Sequence, residues 1–454
     1  MVMNMNTLLR KTIRVVTCTM LFLILMAAVA VYSYAAESLT LEQAIETALK
    51  SNPGLKAAGA QIAAADAGVL RSASGFLPKV TLSETWSRSD NPLMVLGTKL
   101  NQELVAPADF SPAVMNSPDP MSNYNTRLSV MQPVFNGGRE YIGRTQATLA
   151  RDASIQDRER TRQETIYNVV KAYYGLLLAK EYHKVALQSQ ETSQANVKLA
   201  EARFRAGAVL QSDLLRARVQ LAEVREMLTR SENGSKLAAA NLAFSMGVPQ
   251  GIEYEIEGAL AAQPVSIDVN AAVEAAAAKR PDLISMGLNR QNAEKSVSQA
   301  RTEYLPNLNL MGQMDWNSDQ LAGSDAKSWA VMAVLQWNLF DGLVTRAKVK
   351  EAIATSSRMR SLEEQTRSAV QLQVRQAFYN LAASADRIAA TSSSIQEAEE
   401  GLRIVQKRYE SGMTTFVDVL GAESSLIRAR TNALQALYDN NISQAELKLA
   451  QGTL

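Results

Sequence analysis

Arg203-Phe204-Arg205-Ala206-Gly207, followed by Asp213-Leu214-Leu215, returns later in the chain as Arg408-Tyr409-Glu410-Ser411-Gly412 with Asp418-Val419-Leu420. The offset is 205 residues. It holds without a gap from Phe135/Phe340 to Gly247/Gly452, through Gly137/Gly342, Ala147/Ala352, Tyr174/Tyr379 and Arg225/Arg430. Nearer the N-terminus the offset becomes 228, as in Pro53/Pro281 and Leu77-Pro78/Leu305-Pro306. The two offsets differ by 23 residues, an insertion within the first repeat. A repeat of this length is a duplicated helical-hairpin unit rather than a short solenoid period.

Proline and glycine mark out each unit. All 12 prolines lie at or before Pro306, leaving Val134–Val248 and Asn307–Leu454 free of proline. These stretches are rich in Ala, Gln, Glu, Arg and Leu, which favour helix. Val374, Leu381, Ile388, Ile395, Leu402 and Tyr409 recur every seven residues, beside small Ala377, Ser384, Thr391 and Ala398. A narrow seam of this kind suits side-by-side helices, and periodicity alone fits an ordinary coiled-coil hairpin equally well. The pattern predicts long helices over about 139–206 and 343–411, each on the order of 100 Å at ~1.5 Å per residue. Gly207 and Gly412 end them. Half-length return helices follow over 213–246 and 418–451, and shorter helices are expected over 59–74 and 281–303.

Strand-like sequence separates the short from the long helices, at 79–88, 126–134, 307–316 and 328–339. Leu308, Leu310, Met314 and Trp316 alternate with Asn307, Asn309, Gln313 and Asn317. Segments of ~9–11 alternating residues match membrane-spanning β-strands. Trp86, Trp316, Trp329 and Trp337 all fall in these segments, as an aromatic girdle at a membrane interface requires. Soluble hairpins with Trp in an ordinary core are the alternative. Four strands cannot close a barrel, which needs ~8, so membrane strands here imply several chains sharing one barrel.

The N-terminus reads as a secretory signal over residues 1–35: Arg10, Lys11 and Arg14, an apolar stretch from Val15 to Val31, then Ser33-Tyr34-Ala35. An uncleaved anchor helix is the alternative. Without residues 1–35 the chain keeps 44 basic and 45 acidic residues. This balance argues against nucleic-acid binding. One Cys, Cys18, rules out a disulfide framework, and one His, His183, rules out a multi-His metal site. His183 lies on a polar helical stretch and reads as solvated. The neighbouring carboxylates Glu363-Glu364 and Glu399-Glu400 do not converge on one helical face, and no nucleotide-binding glycine motif occurs. No enzyme and no cofactor are expected. The insertion, Asn91–Asn123, carries five prolines and reads as a surface loop.

The doubled order of strand, strand, long helix and half-length helix, with the two glycine turns, Leu-Pro before the strands and Phe135-Asn136-Gly137-Gly138 and Phe340-Asp341-Gly342 after them, resembles the TolC-like outer-membrane efflux protein family. The resemblance implies a mainly α fold with a β-barrel portion. It has a first repeat over 36–248, an equatorial segment over 249–270 and a second repeat over 271–454. It implies a homotrimer whose 12-stranded barrel sits in outer-membrane lipid and continues as a periplasmic α-helical barrel. The chain would then be the passive exit duct of an efflux pump or type I secretion system. Its partners would be a periplasmic adaptor (membrane fusion) protein and an inner-membrane transporter. The adaptor would meet the turns at Gly207, Ala208, Val209, Leu210 and at Gly412, Met413, Thr414, Thr415. A periplasmic gate would use Asp213, Asp418 and Tyr409. Rings of carboxylates favour cations, although Asp also suits a helix N-terminus as a cap. Gly421 and Thr414 depart from the family's pattern of a second acid and an Arg, leaving one ring of charge and putting an Arg lock in doubt. A soluble periplasmic coiled-coil adaptor is the competing reading. It leaves the Trp-bearing strands and the duplication unexplained.

Overall fold

The computed structural model describes residues 38–251, 254–262 and 268–454. The signal segment expected over 1–35 lies outside the described residues, as do parts of the equatorial segment. In chain order the elements are β1 (Ser38–Leu39), α1 (Leu41–Ser51), α2 (Pro53–Ala73), β2 (Lys79–Ser89), α3 (Pro92–Asn101), α4 (Pro112–Asn116), β3 (Met121–Asn136), α5 (Arg139–Arg205) and α6 (Gln211–Met246). After β4 (Glu255–Ile256) come α7 (Val269–Lys279), α8 (Pro281–Arg301), β5 (Asn307–Ser318), β6 (Ala326–Gln336), α9 (Val344–Glu410) and α10 (Phe416–Gln451).

The duplication is written into the element lengths. The long helices α5 and α9 each have 67 residues, the return helices α6 and α10 each 36, α2 and α8 each 21, and α1 and α7 each 11. In the half of the bundle near the sheet the neighbours run α2, α5, α8, α9. In the far half they run α6, α5, α10, α9. Each pair of shorter helices therefore fills one stave end to end, α2 above α6 and α8 above α10. The joints are tight. A Cβ on Gly247, at the end of α6, would lie 2.7 Å from the Asn52 Cα, and one on Gly452 would lie 2.9 Å from the Arg280 Cα. Both glycines have positive φ, 72° and 71°, so they supply the left-handed turn and the close approach together.

Several boundaries differ from the sequence reading, for local reasons. Pro53 and Pro281 start α2 and α8 at their first turn, where a missing N–H costs nothing, so α2 begins well before residue 59. Thr415 caps α10, which puts Asp418 third in the helix rather than at its start. Asp213 occupies the same position in α6. Strand β3 begins at Met121, not 126, because polar Asn123 and Asn125 face one side of a paired strand. Strand β6 ends at Gln336, leaving Trp337 one residue beyond it. The insertion is not a structureless loop: Asn91 accepts hydrogen bonds from Leu93 N and Met94 N and starts α3 on Pro92.

The four long strands form an antiparallel sheet in the order β2-β3-β5-β6. Pro133 stands in the interior strand β3, where the register shifts between Pro133 and Phe135. A bulge there absorbs the missing donor. A second, two-stranded parallel pair joins β1 to β4, Leu39 opposite Ile256, midway down the bundle. The buried Tyr173 hydroxyl of α5 donates to the Leu39 carbonyl at 2.9 Å and also bonds to the Glu257 carbonyl, fixing this belt to the long helix. Leu39, Ala44, Ala48, Val169, Leu176, Leu242, Met246 and Ile256 form the core at that level.

Candidate functional site: the sheet faces and the hairpin tips

Cross-strand pairing sorts the sheet into two chemically opposite faces. One row runs Glu84, Thr126, Trp316, Lys327; the next runs Leu82, Leu128, Met314, Trp329; the next Val80, Val130, Gly312, Val331. Leu310 with Ala333 and Leu308 with Leu335 continue this face toward the helices. The large side chains among them are mostly exposed. The other face carries Thr81, Ser83, Asn123, Asn125, Arg127, Gln313, Asp315 and Asn317, with a row of Met131, Met311 and Met332 nearer the helices. Here Arg127 Nε donates to Asp315 Oδ1 at 2.7 Å, and Asn125 Nδ2 donates to Asp315 and Asn317 at 3.1 Å. An apolar outside against a polar inside is the arrangement of a lipid-embedded, water-filled barrel wall.

The apolar band has aromatic residues at both margins. Trp86, Tyr124 and Trp316 stand toward the β2–β3 end, and Phe135, Tyr304, Trp337 and Phe340 toward the helices. The Trp337 indole donates to the Tyr304 carbonyl at 3.0 Å. Trp329 lies on the apolar face between the margins. From Lys327 to Trp337 the strand rises about 33 Å, or on the order of 25 Å along the normal at a tilt of ~40°, the height of an outer-membrane apolar band. Among the described residues no helix is long and apolar enough to cross a membrane.

At the opposite end the two hairpins close in parallel fashion. Gly207 N donates to Phe204 O and Ala208 N to Arg203 O. Gly412 N donates to Tyr409 O and Met413 N to Arg408 O. Gly207 and Gly412 have φ of 70° and 72°, with open space around each. Of the turn residues, Ala208, Leu210, Met413 and Thr415 are exposed, while Val209 and Thr414 are half-buried. Ala200, Leu214 and Ala217 of the first hairpin pack with Tyr409, Phe416 and Val419 of the second.

The gate candidates have distinct surroundings. Asp418 Oδ2 accepts from the Thr414 hydroxyl at 2.6 Å, the Thr415 hydroxyl at 2.7 Å and the Thr415 N–H at 2.9 Å, while Asp418 N donates to Thr415 Oγ1. This is a capping box. The two threonine hydroxyls, then the amide, hold the Asp418 carboxyl down at about 2. Asp213 is half-buried, 4.0 Å from Arg216, in a helix whose cap residue, Leu210, has no side-chain acceptor. Tyr409 is 7% exposed, and its hydroxyl is buried without a hydrogen-bond partner among the described residues.

Two residues join this site that sequence reasoning did not single out. Arg203 reaches from the first hairpin to the second. Its guanidinium lies 4.7 Å from the Tyr409 ring centroid and donates to the Tyr409 carbonyl at 3.1 Å and the Glu410 carbonyl at 3.3 Å. Its counterpart by the 205-residue offset is Arg408, so the duplicated motif held the signal but not the direction of reach. Glu423 is 6% exposed between α5 and α10, accepting from Asn196 Nδ2 at 2.6 Å, and burial pushes its carboxyl up. His183 is part-buried, with Nδ1 3.1 Å from Ser231 Oγ, beside an open groove lined by Lys180 and Glu232. No group of three or more His, Cys, Asp or Glu able to hold a metal occurs among the described residues.

The family model described as outer membrane efflux protein matches residues 44–248 and 272–453. The chain belongs to the outer membrane efflux protein family. It is similar to the alkaline protease secretion protein AprF of Pseudomonas aeruginosa, 25% identical over 73% of this chain and 70% of that one. It is also similar to the outer membrane protein TolC of Escherichia coli, 24% identical over 93% and 84%. Among solved structures, the CmeC outer membrane channel of Campylobacter jejuni superposes with a TM-score of 0.78 at 19% identity, covering 91% of this chain and 85% of that one. The outer membrane protein VceC of Vibrio cholerae superposes at 0.74 and 19%, covering 91% and 96%. This efflux protein is thus an outer-membrane export duct, with the sheet in the membrane and the helices extending into the periplasm. Its family is one of transport proteins.

Proposed function

We propose that three copies of this chain close one 12-stranded barrel. The resulting duct passively carries substrates handed over by a periplasmic adaptor and an inner-membrane transporter. The observation that carries the assembly is the pair of open edges. Strands β2 and β6 are each 11 residues long, unpaired on their outer sides and exposed along most of their length. Unsatisfied edges are not tolerated in lipid. The strand directions alternate across β2-β3-β5-β6, so β6 of one copy meets β2 of the next in antiparallel register, and any number of copies closes an even-stranded ring. Two copies give a narrow eight-stranded barrel with its interior filled by side chains. Three give a lumen with room for cargo.

The tips at Gly207–Leu210 and Gly412–Thr415 are the adaptor-facing surface in this reading. Asp418, repeated three times around the axis, supplies the charged constriction, with Asp213 and Tyr409 beside it. The capping box supports a fixed position for each Asp418 carboxylate, and the threonine hydroxyls and amide that lower its pKa favour the charged form. Native mass measurement in detergent tests the assembly. A trimer that needs all three chains for its heat-resistant migration is expected, and a stable monomer with a closed barrel refutes it.

A further inference from the structure

The 23-residue insertion breaks the internal duplication and is present in one repeat alone. The β5–β6 connection spans only 319–325, whereas the β2–β3 connection spans 90–120. The longer one is a folded body. Val95 of α3 is buried, beside a small cavity that it lines with Val114, Met115 and Pro118. Lys99 Nζ donates to Asp109 Oδ1 at 2.6 Å, and Asp109 Oδ2 accepts from Ala106 N at 2.8 Å.

This body leans inward over the polar face of the sheet. Gln102, at the end of α3, is 5% exposed and donates through Nε2 to Ser122 O at 3.0 Å and Asn123 Oδ1 at 2.8 Å. Asn123 in turn donates to Asn317 Oδ1 at 2.9 Å. Helix α3 packs against both β3 and β6. Those strands are separated by β5, so α3 crosses the sheet on its water-facing side. Asn317 and Ala326 beneath it are buried. Yet Leu93, Met94, Leu100, Leu104 and Phe110 of the same segment are left exposed. Lipid lies on the other face of the sheet and cannot cover them.

We infer that the insertions of the three copies meet one another on the barrel axis, covering these apolar side chains and closing the outer mouth of the duct. The inference rests on the trimer proposed above. Twelve strands spaced ~4.8 Å apart and tilted by ~40° place the wall about 12 Å from the axis. A helix laid on that wall is ~10 Å thick. Three such layers leave no aqueous path, and the side chains that project beyond them are the apolar ones. The duct then has a second closure, on the external side, independent of the hairpin tips.

Accessibility from outside the cell tests this closure without passing the tips. Thr81 faces the polar side of β2, opposite Ser129 and about 20 Å along the strands below Asn123. In a Cys18→Ser background, a Thr81→Cys chain is exposed on intact cells to a membrane-impermeant maleimide–polyethylene glycol of about 2 kDa. Labelling is expected to be about tenfold faster or more when residues 90–120 are replaced by the short 319–325 turn. The same direction is expected for Leu93→Glu with Phe110→Glu, which keeps the fold of the insertion and charges its seal. Equal labelling rates in a chain that still migrates as a trimer overturn the closure. Loss of the trimer in the unaltered chain overturns the assembly on which it rests.

Discussion

Replacing Arg203 by Met keeps the aliphatic stem and removes the guanidinium that ties the two hairpin tips together. Three contributions disappear. Two are charge-assisted hydrogen bonds to the Tyr409 and Glu410 carbonyls, at 3.1 and 3.3 Å. The third is the stacking over the Tyr409 ring at 4.7 Å. Each half-exposed bond of this length contributes about 0.5–1 kcal/mol, and a cation over an aromatic face about 0.5–1 kcal/mol at an accessible site. Together they amount to about 2 kcal/mol, or a factor of about 30 in a local opening equilibrium. Amide hydrogen exchange followed by mass spectrometry reads this directly. The donors of the second turn, Gly412 N and Met413 N, are expected to exchange about 30-fold faster in Arg203→Met, although the substitution lies in the other hairpin. Lys at the same position is expected to restore part of the protection, since it keeps a cation near the C-terminal carbonyls of α9 but loses the planar fork. If exchange accelerates around residues 203–208 and stays unchanged around 408–413, the cross-hairpin tie is without consequence and the reasoning fails.

Gly412→Ala and Gly452→Ala place the same methyl group at nearly the same positive φ, 72° and 71°. The first meets open space and is expected to cost on the order of 1 kcal/mol. The second meets the Arg280 backbone at 2.9 Å and is expected to cost at least twice as much, so the difference in thermal midpoint isolates the joint. For the gate, Asp418→Asn keeps an oxygen acceptor for Thr414 and Thr415 but no charge. In planar bilayers it is expected to lose most cation selectivity and block by multivalent cations, and at neutral pH its thermal midpoint is expected to fall modestly, because the charge-assisted cap is lost. In the parent chain that selectivity is expected to persist on acidification through the usual carboxylate range, because the Thr414 and Thr415 donors favour the charged Asp418. The stabilisation from its lowered pKa is present above the unfolded value and lost as pH falls through the folded one. Glu423 has the opposite sign. Its raised pKa means that the folded state favours the protonated carboxyl, so stability falls as pH rises from the unfolded value through the folded one. Glu423→Gln, which preserves the bond from Asn196, is expected to raise the thermal midpoint at pH 7 and to leave it unchanged near pH 4. A constant difference across that range argues against a titrating group.

The helical half of the molecule was legible because duplication reports itself. A constant offset with matched glycines fixes the lengths of α5, α6, α9 and α10 without any knowledge of packing. The sheet was legible only on its apolar side. Asn123 and Asn125 look like loop residues until pairing with Asn317 and Asp315 shows that they face the interior of a wall. Prolines misled most in the insertion. With five prolines the insertion reads as a surface loop, but Pro92, Pro107 and Pro112 each stand at the first position of a helical turn, where the fixed φ helps. Arg203 and Glu423 were not readable, since their partners are 206 and 227 residues away in sequence and depend on which helices become neighbours. Heptad spacing identifies a seam but not the helix on the other side of it.

The end-to-end joints at Gly247 and Gly452 have a mechanical consequence. At that height each stave is interrupted while α5 and α9 run through without a break. A tube built this way is torsionally compliant at one level and stiff above and below it. The β1–β4 belt and the buried Tyr173 bonds clamp the same level, as a hoop restrains a jointed column. A twist applied at the hairpin tips is therefore expected to concentrate at this jointed level, as far as the belt allows, and little of it to reach the sheet. The sheet is expected to stay still while the hairpin tips move.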